Sequence, residues 1–149
     1  MFIGESMKRK VILLLMLSLL VCGCSSKTMV CSGTSKDEQR ETNQEYILEY
    51  KDNTIFKVSQ TTKHKFKDKK VLDIYVDAFD SYVKDLNSVA LDSNGYIIVE
   101  TNIGKDNSYT IKIDAEVDKL DDYYLSKINM VRDINELKEI LETSGLTCK

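Results

Sequence analysis

The apolar positions change period along the chain. From Glu45 to Lys51 (EYILEYK) and from Thr54 to Thr62 (TIFKVSQTT) the residues are β-prone, and Asp52-Asn53 separates the two runs. Asx residues tolerate left-handed backbone, so the pattern reads as a β-hairpin. From Asp68 the spacing lengthens. Leu72, Tyr75, Phe79, Tyr82, Val83 and Leu86 recur at steps of three and four, which predicts an amphipathic helix of about 20 residues ending near Asn87. Its opposite face carries Asp73, Asp77, Asp80 and Lys84. Asp92-Ser-Asn-Gly95 is a turn. Two further strands, Tyr96–Thr101 and Ser108–Ala115, are joined by Asn102–Asn107. In the second of them Tyr109, Ile111, Ile113 and Ala115 alternate with polar residues, so one face of the sheet is buried.

The segment from Asp118 to Met130 holds a short helix or an irregular turn. Residues 135–143 form a helix with Asp133 or Asn135 as cap, Gly145 as its stop, and Leu137, Ile140 and Leu141 on one side. Residues 34–44 (TSKDEQRETNQ) are polar throughout and read as a linker after a first short strand. The order is strand, hairpin, helix, hairpin, helix. It predicts an α+β fold, an antiparallel sheet with helices packed on one face. Tyr46-Ile…Lys51-Asp-Asn53…Phe56-Lys-Val58 resembles Tyr96-Ile…Lys105-Asp-Asn107…Ile111-Lys-Ile113, so the chain is also readable as a ββα unit used twice.

The first residues follow a different logic. Lys8, Arg9 and Lys10 precede an apolar run from Val11 to Val21, interrupted only by Ser18. That run suits a secretory h-region of about 7–15 residues and falls short of the roughly 20 needed to span a bilayer. Met7 is a plausible true start, because MKRK opens with positive charge at once. The h-region leads into Val21-Cys22-Gly23-Cys24, which resembles the lipobox of bacterial lipoproteins. Cys22 departs from the usual small residue at its position but is itself small and apolar. The resemblance implies that residues 1–23 are a signal peptide and that Cys24 receives a diacylglyceryl group. Two chains anchor stably where one does not, so the membrane is the first partner expected, at its extracytoplasmic face. Outside the cytoplasm the remaining pair, Cys31 and Cys148, is most simply a disulfide. It closes nearly the whole domain into one loop, for which chain entropy gives about 5 kcal/mol. A redox pair is the rival reading, without a CxxC or a nearby histidine to lower a thiol pKa.

Composition narrows the function classes. Residues 24–149 are one domain by size. The full chain carries a net charge of −3, and the leader removes three cations against one carboxylate, so the remainder is more acidic still. That balance argues against nucleic acid as a partner. The single histidine, His64, is too little for a triad or most zinc sites, and no P-loop, G-x-S-x-G or H-E-x-x-H occurs. Aligning Gly95 with the glycine of an EF-hand loop puts Ala90 and Thr101 at carboxylate positions, so no calcium loop of that type forms. The sequence implies no cofactor and no metal site. Catalysis would rest on carboxylates: Asp73 and Asp77 share a helix face, as do Asp77 and Asp80, and such pairs can hold a cation or do acid–base work. A solvated helix face is the plainer reading. The basic run Lys63, His64, Lys65, Lys67, Lys69, Lys70 offers a patch for an anionic surface at about 1 kcal/mol per basic residue, or else a charged strand end that discourages edge pairing.

The lipidated cysteine followed by Met29-Val-Cys31, the Tyr-Lys-Asp-Asn hairpin before a central helix, and the ending Leu137-Lys-Glu-Ile-Leu-Glu…Gly145-Leu-Thr-Cys-Lys149 together resemble the small bacterial lipoproteins related to YehR. The resemblance implies a compact α+β lipoprotein and supplies no activity; the residues themselves set the domain at 45–149, closed by Cys31–Cys148. The expectation is a membrane-anchored module that binds or supports the envelope without catalysis, its partners an anionic envelope polymer or an envelope protein. A small carboxylate-based or metal-dependent hydrolase is the alternative.

Overall fold

The computed structural model describes residues 25–149; the leader and Cys24 lie outside the described residues. The elements are β1 (Lys27–Lys36), β2 (Arg40–Lys51), β3 (Thr54–Phe66), α1 (Lys69–Asp92), β4 (Ile97–Gly104) and β5 (Ser108–Ala115). A 3-10 turn (Val117–Lys119), α2 (Asp122–Lys127), α3 (Ile134–Thr143) and β6 (Thr147–Cys148) complete the chain. The fold is α+β, with six strands in the order β4-β5-β3-β2-β1-β6, every neighbouring pair antiparallel. The two hairpins β2–β3 and β4–β5 meet through β3 and β5, the topology of two ββα units side by side. The second unit continues into the short α2 and α3 instead of one long helix.

The β2–β3 hairpin turns at Asp52 and Asn53, with φ of 49° and 66°. That left-handed pair matches the right-handed twist of the flanking strands. Residues 34–44 differ from the expected linker. Ser32–Lys36 continue β1 against Glu41–Glu45 of β2, and the turn between them is closed by the Asp37 carboxylate, which accepts from the amides of Gln39 and Arg40, each at 2.8 Å. This end of the β1–β2 pair is polar on both faces, so the segment leaves no alternation to read.

Helix α1 starts where expected, with the Asp68 carboxylate accepting from the Val71 amide, but runs to Asp92 instead of stopping near Asn87. Val89 and Ala90 pack against the core, and the Ser93 hydroxyl donates to Ala90 O and accepts from the Ile97 amide. Strand β4 likewise extends to Gly104, leaving only 105–107 as turn.

Registers place Tyr109, Ile111, Ile113 and Ala115 of β5 on one face with Val58 of β3, Leu48 of β2 and Ile97 of β4. These apolar positions of the inner face are buried. Helix α3 buries Ile134, Leu137 and Leu141, while Ile140 is 46% exposed and stands outside the core. The outer face, with Lys57, Glu49, Lys112 and Glu100, faces solvent.

Candidate functional site

Cys31 and Cys148 are joined in a disulfide. Register sets the pair: β6 lies antiparallel to β1 with Cys148 directly opposite Cys31. Val30 and Lys149 add reciprocal amide bonds of 3.0 and 2.9 Å. Cys31 is fully buried, so the bridge forms part of the inner face and shows no exposed thiol.

The basic run divides between two elements. Lys63, Lys65 and Lys67 are solvent-facing, and Lys69 and Lys70 open α1. Lys63 pairs with Asp106 at 3.2 Å, and Lys69 with Asp73 at 2.8 Å. His64 does not belong to the surface patch expected from sequence. It points inward at 8% exposure, stacks on Phe79 at 5.5 Å, and its Nδ1 lies 3.0 Å from the Thr42 hydroxyl. The period of two is the reason, since it puts His64 and Phe66 on the face opposite the lysines. Burial, reinforced by the Arg40 charge, lowers the His64 pKa, so the ring is neutral at pH 7. Around Lys65 and Lys67 the surface is mixed in sign. Lys36 sits 3.9 Å from Glu41, and Arg40 3.5 Å from Asp37.

The helix carboxylates lie on the exposed face of α1. Asp73 is held by Lys69, and Asp80 by Lys84 at 2.5 Å. Among the described residues, no group of three or more His, Cys, Asp or Glu side chains is placed to hold a metal ion.

A constellation not expected from sequence lies on the inner face. In β2 the inward positions run Arg40, Thr42, Gln44, Tyr46, Leu48; in β3 they run Phe66, His64, Thr62, Gln60, Val58. One end of this double row is apolar core. The middle is polar: Gln44 stands opposite Thr62 and Tyr46 opposite Gln60, all of them half-buried. Helix α1 packs chiefly on β4, with lesser contact to β5 and β3, and α3 packs on β6, so β2 is the strand of this double row that the helices cover least. Tyr75 and Tyr82 of α1 flank them: the Arg40 guanidinium rests over the Tyr75 ring at 5.2 Å, and burial together with the neighbouring Tyr82 raises the Tyr46 pKa. On the far side the backbone of Gly33 approaches Gly145 and Leu146 so closely that a Cβ there would sit 3.1 Å from the Gly145 carbonyl oxygen. The alternation of TNQEY and SQTTKH carried a signal for this strip, but polar residues inside a strand look the same whether they face water or stand half-buried on the inner face.

On the outer face Ile47, Lys57, Ser59, Ile98, Lys112 and Asp114 line an open depression of about 480 Å³. Burial alone would raise the Asp114 carboxyl, but hydrogen bonds from Lys112 and Ser59, with the Lys112 and Lys57 charges, hold it below the usual carboxylate range. These charges satisfy one another within the sheet.

No family model and no curated protein matches the chain. A solved structure described as the NMR structure of the protein from Streptococcus pneumoniae TIGR4 is similar, with a TM-score of 0.53 at 14% identity over 84% of this chain and 86% of that one. At that identity the likeness is one of fold alone: this α+β sheet-and-helix arrangement is also the architecture of the pneumococcal protein.

Proposed function

We propose that the protein is a lipid-anchored, extracytoplasmic lipoprotein whose domain binds an envelope component without catalysing a reaction. The observation that carries the binding half is the polar, half-buried strip on the inner face. There, side-chain amides, hydroxyls and the Tyr46 ring stand at neighbouring inward positions of β2 and β3, and a few such polar groups suffice to orient a ligand. The anchoring half rests on the leader and on the lipobox-like Val21-Cys22-Gly23-Cys24, in keeping with the resemblance to YehR-like lipoproteins.

Geometry adds a consequence. Only Ser25 and Ser26 separate Cys24 from β1, so an acylated Cys24 holds the Lys27 end of the sheet against the bilayer. The ten residues of β1 span roughly 30 Å at about 3.3 Å each, and Lys65 and Lys67 lie at the other end. Headgroup potentials decay within about 8–10 Å at physiological salt. With the sheet upright, the exposed lysines therefore address an envelope polymer or protein beyond the headgroups rather than the protein's own leaflet.

Intact mass of the membrane-extracted protein, with and without reduction and alkylation, tests this. The expected mass lacks residues 1–23, carries a diacylglyceryl group, and shows thiols that alkylate only after reduction. Cys24→Ser should release the protein from the membrane fraction. An unlipidated mass, or unchanged membrane retention of Cys24→Ser, removes the anchor.

A further inference from the structure

We infer that the polar strip on the inner face binds an uncharged saccharide. The inference rests on the binding-module reading above and gives that site its ligand class. The strip breaks the rule that the helix-covered face of a sheet is apolar, and such breaks mark sites whose chemistry is used. Leu48 and Val58 obey the rule; Gln44, Gln60, Thr42 and Thr62, on the same two strands and the same face, do not. Opposed side chains in an antiparallel pair stand about 5 Å apart, and successive inward positions about 7 Å apart. Gln44–Thr62 and Tyr46–Gln60 thus form a small grid of donors and acceptors.

The available groups select the ligand. Each glutamine side chain offers a carbonyl acceptor and two N–H donors, and each hydroxyl both donates and accepts; together they match adjacent ring hydroxyls and acetamido groups. The Tyr46 and Tyr82 rings provide apolar faces with polar tips, suited to the C–H face of a pyranose. None of the inward strand positions flooring the strip is a carboxylate, so a metal ion or a cationic ligand finds no partner there. The guanidinium at its end, Arg40, is engaged over Tyr75, and His64 is turned toward Thr42, which leaves little to hold an anion. A peptide would add as a strand to a free sheet edge, but β2 and β3 are interior strands whose backbones are already paired on both sides.

The test titrates the detergent-solubilised mature lipoprotein with a short uncharged N-acetylglucosamine oligomer, with glucose oligomers and an uncharged alanine peptide as comparisons. NMR signals of the Gln44 and Gln60 side-chain amides and the Tyr46 ring are followed. The expected result is saccharide-dependent shifts at these residues, with affinity falling about tenfold or more in Gln44→Leu and Gln60→Leu while Tm holds or rises. Should a leucine variant fail to fold, the nearly isosteric Thr62→Val and Gln60→Met take its place with the same expectation. No shift with any saccharide, shifts that map to the outer face, affinity unchanged in all four variants, or binding by the peptide alone would each overturn the assignment. The anchor is read separately from mass and fractionation, so a domain that is anchored but does not bind sugar fails here without failing there.

Discussion

Asp52 and Asn53 hold a backbone conformation that L-residues adopt at a cost of about 1–2 kcal/mol each, with Asn and Asp the least penalised. Asn53 also anchors the far end of the domain, since its carbonyl accepts from the Ile134 amide at 2.9 Å. Replacing Asn53 with Val should destabilise by about 1–2 kcal/mol, whereas Asn53→Gly should be neutral or slightly stabilising. Urea midpoints of the two variants decide; equal losses would mean that the turn geometry is not what the residue supplies. A second residue-scale case is His64. Because burial lowers its folded pKa below the unfolded value of about 6.5, the folded state binds fewer protons there. Its contribution is complete above the unfolded pKa and is lost as pH falls toward the folded one. His64→Gln should flatten the stability profile below about pH 6.5, measured as Tm against pH. An unchanged slope would remove His64 as the cause. The single histidine was visible in the chain, but its inward aim depends on strand parity, which any one-residue shift would invert.

Elements show the same division. The hairpin at Asp52-Asn53, the change of period at Asp68 that opens α1, and the Gly145 stop of α3 with its φ of 93° were legible because each is a local signal in the chain. The polar stretch 34–44 was not, since its strand is imposed by the ladder to β2 rather than by an apolar period. Nor did the helical period alone separate Leu137 from Ile140. Both fit the apolar stripe, yet Leu137 is 1% exposed and Ile140 46%, because α3 meets the sheet along only part of that stripe. Leu137→Ala should therefore cost about 2–5 kcal/mol and Ile140→Ala well under half of that, compared by chemical denaturation. Comparable losses would show that Ile140 is covered in solution.

At the scale of the molecule, one covalent bond ties the first strand to the last. The 117-residue separation of Cys31 and Cys148 gives, in the chain-entropy model, a stabilisation of up to about 5 kcal/mol, reduced in practice by residual structure in the unfolded chain. The Cys31→Ser/Cys148→Ser double variant should keep the fold of the sheet's interior and lose several kcal/mol. Amide exchange should rise first at Val30, Cys148 and Lys149, where β6 is held by little else. Exchange unchanged at those amides would show that backbone pairing alone secures the edge.

The sequence by itself determined the pairing of Cys31 with Cys148, the α+β class, the Asp52-Asn53 turn, the start of α1 and the buried alternation of β5, because those follow from residue type and from periods confined to neighbouring positions. Tertiary structure decided which strands became neighbours, that the 34–44 segment is a strand pair, that His64 is buried, and that polar residues of β2 and β3 stand half-buried on the inner face. Each of those depends on register and on what the helices cover. Both are set by burying the apolar part of the sheet as a whole, and no window of the chain contains that sum.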